Sequence, residues 1–364
     1  MQAQTFSVLY NFSGPPNGEY PYAGVVRNAA GNLYGTASQG GSGNCYQGCG
    51  MVFKIDHTGK ETVLHSFTGG SDGGYPYPGL IEDPAGDLYG TTFSGGSTGS
   101  GTVFKLTKSG KETVLHDFKG PEGCQPIASL LRDSDGNFYG TTNACGSYTW
   151  GTVFKMNKTG EVTALHSFSG PDGASPYWSS VVMDAKGNLY GTTNQGGPYN
   201  WGAVFKLNKS GKITVLHTFA GGTQDGCYPT GTPTLDTHGD LYGMAECGAN
   251  NAGVIWRVSG KGTETIVHNF AGGSSDGKYP GADASMILDA EGNLYGLTAG
   301  GGAYDYGVVY EMNMKGELTV LHSFTGPRGA GPLGDVLRDA KGVLYGTTNA
   351  GGLNDYGTVW RLTP

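Results

Sequence analysis

Apolar and polar residues alternate along this chain in bursts of five to seven, and the bursts come in fours. One set is formed by residues 76–82, 87–92, 101–106 (Gly-Thr-Val-Phe-Lys-Leu) and 112–118. Short runs rich in Val, Tyr, Phe and Thr, bounded by Gly, read as β-strands. Asp83-Pro84-Ala85-Gly86 separates the first two as a tight turn, in which Asp opens and Gly supplies positive φ. Residues 107–111 turn the chain between the last two, and a longer loop, 93–100, joins the middle pair. No window keeps a 3.6-residue apolar period for three turns, so no significant helix is predicted.

The set recurs. Leu/Phe-Tyr-Gly occurs seven times, at Tyr34, Tyr89, Tyr139, Tyr190, Tyr242, Tyr295 and Tyr345, in steps of 55, 50, 51, 52, 53 and 50 residues. Seven units of 52 account for all 364 residues. Four short antiparallel strands per roughly 50 residues describe a propeller blade. The chain opens on a spare fourth strand, 6–12, and stops after a third strand, 357–362. Pairing the two completes the blade of residues 332–362 and removes both open edges. The expectation is an all-β, seven-bladed β-propeller, a single domain spanning 1–364.

Composition changes this picture little. Gly supplies 68 residues and charged residues only 14%. That much Gly in a random arrangement would indicate low complexity, but here it recurs at fixed turn and bulge positions. The net charge of −8 and the lack of Lys/Arg clusters exclude the electrostatic footprint of a nucleic-acid binder. No 18-residue apolar run exists, so no membrane span is expected. The start, Met1-Gln2-Ala3-Gln4-Thr5, lacks an apolar signal core and reads as a mature secreted sequence carrying a start codon.

Three motifs recur with the unit: Gly86-Asp87-Leu88-Tyr89-Gly90-Thr91-Thr92, Gly101-Thr102-Val103-Phe104-Lys105-Leu106 and Thr113-Val114-Leu115-His116. In them the whole chain resembles the GloVer-type Gly-rich tandem-repeat family of secreted bacterial proteins with varied anchors. It departs in carrying His where that pattern more often has Tyr, which only Tyr10 keeps. No C-terminal anchor is seen. The resemblance implies secretion, outside the cell or in the periplasm, and no defined activity.

In an up-and-down blade the loops alternate between two faces. One face receives short polar turns such as Asp184-Ala185-Lys186-Gly187 and Asn208-Lys209-Ser210-Gly211. The other receives the longer second-to-third loops and the blade-to-blade connections, and a binding site is expected there. Its loop tips carry Trp150, Trp201, Tyr304, Asp305, Tyr306 and Asp355. The inner strands contribute two rings. Six residues before the turn Asp/Asn stand Tyr22, Tyr77, Ile127, Trp178, Thr230, Asp283 and Leu333; four before it stand Gly24, Gly79, Ser129, Ser180, Thr232, Ser285 and Asp335. Asp283 and Asp335 are the only acids in these rings and belong to neighbouring units. Aromatic faces stack on sugar C–H groups while carboxylates accept hydroxyl protons. The bland alternative has Tyr22, Tyr77 and Trp178 filling wedge gaps between blades.

Other constellations carry less. His65, His116, His166, His217, His268 and His322 occupy one repeat position, so a structural hydrogen-bonding role is expected; His57 and His238 fall in turns. Gly69–Gly73 and Gly95–Gly99 match Gly-x-Ser-x-Gly, but no helix follows to build a nucleophile elbow. Residues 133–137 resemble a calcium loop without its later ligands. No zinc pattern or P-loop exists, and no metal or cofactor is expected.

Three function classes remain. The favoured one is a secreted propeller binding carbohydrate or a cell-surface partner. The second is a glycoside hydrolase or polysaccharide lyase using Asp283 and Asp335 at the channel mouth. The third is a structural surface or matrix protein. Acids in only two units speak against pure structure, and aromatic tips in blades 3, 4, 6 and 7 favour binding over one catalytic pocket. Oligomeric state is left open.

The six Cys give the sharpest expectation. Cys124 and Cys145 lie 21 apart, Cys227 and Cys247 20 apart, at the same two loop positions of blades 3 and 5. A Cys is useful there only with its partner, so Cys124–Cys145 and Cys227–Cys247 are predicted. Cys45–Cys49 then closes a small ring, since too few ligands surround it for metal. Three bridges place a protein in an oxidising compartment.

Overall fold

A computed structural model describes residues 4–281 and 284–364. Among them every regular element is a strand, and seven antiparallel sheets follow one another along the chain. Blade 2 is representative: Ile81–Glu82, Leu88–Thr92, Thr102–Leu106 and Glu112–Asp117 pair in order from the channel outward. In blade 7, Leu337–Arg338, Leu344–Thr348 and Thr358–Thr363 are completed by Thr5–Asn11, with Phe6 opposite Leu362 and Asn11 opposite Thr358. The protein is a seven-bladed β-propeller.

In blade 2 the innermost strand is shorter than predicted, whereas in blade 5 it runs over Pro229–Leu235. Residues 76–82 read as one run, yet only Ile81 and Glu82 join the ladder. Pro76 and Pro78 have no N–H to donate. The inner segments are stitched to neighbouring blades instead: Thr36 Oγ1 donates to the Pro78 carbonyl at 2.9 Å, Thr141 to Ser179 at 2.6 Å, Thr347 to Ala23 at 2.7 Å. In five blades the Tyr of the Tyr-Gly pair donates to the turn Asp, as Tyr89 does at Asp83 (3.0 Å) and Tyr190 at Asp184 (3.0 Å). The Gly after it leaves room for a third-strand ring; a Cβ on Gly35 would sit 2.6 Å from Phe53.

Each seam between blades repeats one aromatic lock. The Phe ending each outer strand meets a third-strand ring of the next blade edge to face: Phe168 on Phe205 at 5.2 Å, Phe219 on Trp256 at 5.8 Å, Phe324 on Trp360 at 5.8 Å. Phe12, on the N-terminal strand, meets Phe53 at 5.1 Å and closes the circle. All seven Phe are fully buried.

A β-bulge between the third and outer strands also recurs in every blade, just before the His position. Side chains four apart in a strand share a face, but one inserted residue sends them to opposite faces. So the His faces the next blade, and the residue four before it faces the previous one. Phe6 of blade 7 accordingly stacks on His322 of blade 6 at 3.7 Å.

Candidate functional site

The loop face is held by two backbone devices. The residue before each connection Pro adopts positive φ, as at Tyr75, Ser175 and Tyr228. Its N–H bonds the preceding blade's loop tip and its carbonyl bonds its own blade: Ser175 N to Trp150 O (2.8 Å), then Asn194 N to Ser175 O (3.0 Å). The Pro ring then packs against the Gly that starts the preceding blade's third strand; a Cβ on Gly151 would lie 2.9 Å from Pro176. Loop tips are thus fixed by main chain, leaving their side chains to vary.

The three disulfides form as expected. Cys124–Cys145 and Cys227–Cys247 have Cα separations of 5.4 and 5.1 Å, and Cys45–Cys49 has 5.0 Å. The Cys124 position already bridges Ala144 through backbone, as Gly74 does Ser94 and Ala174 does Gln195. The bond locks a contact the repeat makes anyway.

The residues four before the turn line the channel, a cavity of ≈ 240 Å³ with walls of Gly24, Gly79, Ser129, Ser180, Thr232, Ser285 and Asp335. Asp335 is partly accessible there. Its Oδ1 accepts the Ser285 N–H at 2.6 Å, just as Ser129 Oγ accepts from Gly79 N and Thr232 Oγ1 from Ser180 N, each at 3.0 Å. Asp335 therefore fills a stitching position that other blades give to Ser or Thr. Burial raises its carboxyl above the usual range, opposed by the Ser285 hydrogen bond. Asp283, the second acid of the sequence reading, lies outside the described residues.

Above the channel the aromatics meet one another, Tyr22 of blade 1 packing edge-on against Tyr77 of blade 2 at 5.4 Å. Trp178 of blade 4 reaches across the axis to Tyr22 of blade 1, nearly parallel at 6.0 Å, and to Tyr77 of blade 2, edge-on at 5.5 Å. Trp178 is 9% exposed. The passage beneath, between Tyr77, Trp178 and Asp335, holds ≈ 10 Å³, room for about one water. Above it a mouth of ≈ 370 Å³ remains, walled by Tyr22, Tyr77, Phe93 and the exposed Tyr177.

The predicted loop-tip residues divide into covered and open. Trp201 packs edge-on against Tyr228 at 4.8 Å. Trp150 faces Ser175 at the same repeat position, is 44% exposed, and borders a cleft of ≈ 450 Å³ with Pro171 and Pro198 between blades 3 and 4. Tyr306 faces Gly331 and is also exposed, as is Tyr304. Asp305 and Asp355 are engaged in their own loops: their Oδ1 atoms accept Gly301 N and Gly351 N, each at 2.8 Å. Asp305 also pairs with Lys278 at 2.8 Å, which holds its carboxyl below the usual range.

Eight aromatics are strongly exposed among the described residues: Tyr46, Tyr148, Trp150, Tyr177, Tyr199, Tyr279, Tyr304 and Tyr306. Seven lie in second-to-third loops or connections and Tyr279 in the short strand Gly277–Pro280, all on one face. The opposite face has a larger cavity, ≈ 630 Å³, between blades 3 and 4. Its Asp133 and Asp184 are spent on their own turns through Asn137 and Asn188, and it offers no exposed ring.

In five blades the repeated imidazole faces an acid: Asp72 (3.4 Å), Glu122 (3.2 Å), Asp172 (2.8 Å), Asp225 (3.2 Å) and Asp276 (3.2 Å). Blade 6 has Arg328 in the acid's place, and burial together with that charge pushes His322 down to about 4. The sequence reading missed one consequence of the bulge. Glu112 and Glu264 face the His–Asp pair of the previous blade, and burial beside Asp72 or Asp225 pushes each up to about 7.

Fold and face define a disulfide-pinned, seven-bladed β-propeller with an aromatic loop surface. The model of the Gloeobacter/Verrucomicrobia repeat matches residues 1–182, 42–248 and 178–364, and the chain belongs to that family. No curated protein matches. Two solved extracellular domains of B. thetaiotaomicron two-component systems share the fold, with TM-scores of 0.65 and 0.60 at 12% and 11% identity. They are matched over 98% and 99% of this chain, which spans only 39% and 41% of theirs. A Bacteroides fragilis protein assigned as a 6-phosphogluconolactonase has TM-score 0.52 and 18% identity, covering 86% of this chain and 87% of its own. At such identities the likeness is one of fold.

Proposed function

We propose that this propeller works in an oxidising compartment, outside the cell or in the periplasm, and binds carbohydrate of a cell-surface glycan through its loop face. The observation that carries the reading is the confinement of all eight exposed aromatics to that face. Singly scattered exposed rings are ordinary, and their confinement to one face supports a binding role for that face. Open rings over rigid, main-chain-fixed loops suit stacking on sugar C–H faces at low entropic cost. Three disulfides support the oxidising location.

The hydrolase or lyase reading draws less support. Asp335, on the wall of the ≈ 240 Å³ channel cavity, has its Oδ1 committed to the Ser285 N–H. The test is a glycan array of plant and bacterial polysaccharides probed with the intact protein and with Trp150→Ala/Tyr306→Ala. Binding by the parent and at least tenfold weaker binding by the double variant are expected. No glycan bound, or identical profiles for the two proteins, would sink the proposal.

A further inference from the structure

On the outer rim between blades 4 and 5, the ligand atoms of His217, Asp225 and Glu264 all lie within 4.8 Å of one another, the only such trio among the described residues. His217 Nε2 is 3.2 Å from Asp225 Oδ1. The Asp225 carboxylate is fixed by the backbone N–H groups of Ala220 and Gly226, each at 2.8 Å. Glu264 arrives from blade 5, and one of its carboxylate oxygens is fully buried with no hydrogen-bond partner. A buried, unpartnered carboxylate oxygen beside a second carboxylate is costly unless the carboxyl takes up a proton or a cation joins the two.

The repeat supplies an internal comparison. The position of Glu264 is held by Val162, Ile213, Leu318 and Phe6 in blades 3, 4, 6 and 7. There an apolar side chain faces the previous blade's His, as Phe6 does on His322. A Glu is therefore no requirement of the blade. Blade 1 has Glu61 at this position and blade 2 has Glu112, but Glu61 meets Tyr10 rather than His, and the His65–Asp72 pair beside Glu112 is looser at 3.4 Å.

Metal bonds of about 2.0–2.1 Å at tetrahedral angles separate two donor atoms by about 3.3 Å, close to the His217–Asp225 spacing. Closing the rest requires a side-chain rotation of Glu264, whose ligand oxygen lies within 4.8 Å of the other two. One imidazole with two carboxylates suits zinc and its first-row neighbours, whereas calcium and magnesium favour oxygen alone. We propose that His217, Asp225 and Glu264 form a divalent zinc-class site that staples blade 4 to blade 5, with solvent in the open position.

The experiment is calorimetric titration of Zn²⁺ into the full chain after chelator treatment, with thermal unfolding alongside. One equivalent per chain and a raised Tm are expected. Glu264→Gln should weaken binding at least tenfold. Glu264→Leu, which installs the residue blade 6 already carries, should abolish both binding and the Tm shift. His166→Gln, in the neighbouring seam, should change neither. The proposal is overturned if the parent takes up no Zn²⁺, if both Glu264 variants bind as the parent does, or if His166→Gln weakens binding as much as Glu264→Gln.

Discussion

The seam between blades 3 and 4 and the seam between blades 4 and 5 are built from the same repeat yet present different surfaces. Both are locked inside by a buried Phe on the next blade's ring, Phe168 on Phe205 and Phe219 on Trp256. Both put Trp at the loop tip with its carbonyl held by the next blade's backbone. They differ in the partner across the seam. Ser175 leaves Trp150 open above a cleft, while Tyr228 covers Trp201. At the rim, Ile213 occupies the place beside His166 where Glu264 stands beside His217. The repeat supplies stability through positions that never vary, and chemistry through side chains whose backbone it has already fixed.

The largest expected effect concerns what the seams share. Phe168→Ala and Phe219→Ala should each cost about 3–5 kcal/mol, the usual range for a fully buried ring. Unfolding free energies from urea titration that differ between the two variants by more than about 2 kcal/mol would break the claim that the locks are equivalent.

The next concerns what they do not share. Trp150→Ala should weaken glycan binding at least tenfold and leave the urea midpoint nearly unchanged. Trp201→Ala should leave affinity alone and cost about 1–2 kcal/mol for its lost edge-on packing. Tyr228→Ser should uncover Trp201 and raise glycan affinity or stoichiometry; no change in either would show that exposure of the ring is not what the ligand reads.

The smallest is a pH effect at the seam of blades 1 and 2, which shares its Glu with the 4/5 seam. Burial, with Asp72 adding, raises Glu112 to about 7. A carboxyl raised on folding favours the fold below its unfolded pKa, near 4.5, and loses that contribution as pH rises through about 7. Glu112→Gln should therefore do little at pH 4 and stabilise by about 1–2 kcal/mol at pH 8, after allowance for solvent screening. Equal shifts in Tm at both pH values would contradict the buried, unneutralised carboxylate.

The fold was legible because the same side chains recur at one spacing: Tyr-Gly, the outer-strand Phe and the turn Asp each have a single structural task. The disulfides were legible for the same reason, two Cys recurring together in two units. The inner strand was overextended because Pro76 and Pro78 sit among apolar residues that read as strand while removing its donors. The site was only partly legible. Trp178 meeting Tyr22 depends on the ring bringing blades 1 and 4 face to face across the axis, which no local pattern encodes. Trp150 and Trp201 look alike in sequence; the difference lies in Ser175 and Tyr228, 25 and 27 residues further on. The meeting of Glu264 with His217 depends on the bulge, a one-residue shift that hydrophobic alternation alone does not announce.

Ligand is expected to sit on the open aromatic loop face. A crystal structure with an oligosaccharide drawn from the glycan screen tests it most directly. The predicted result is a sugar ring stacked on Trp150 over the cleft between blades 3 and 4, with the short-turn face empty. A sugar held instead in the ≈ 630 Å³ cavity beside Asp133 and Lys209 would contradict it.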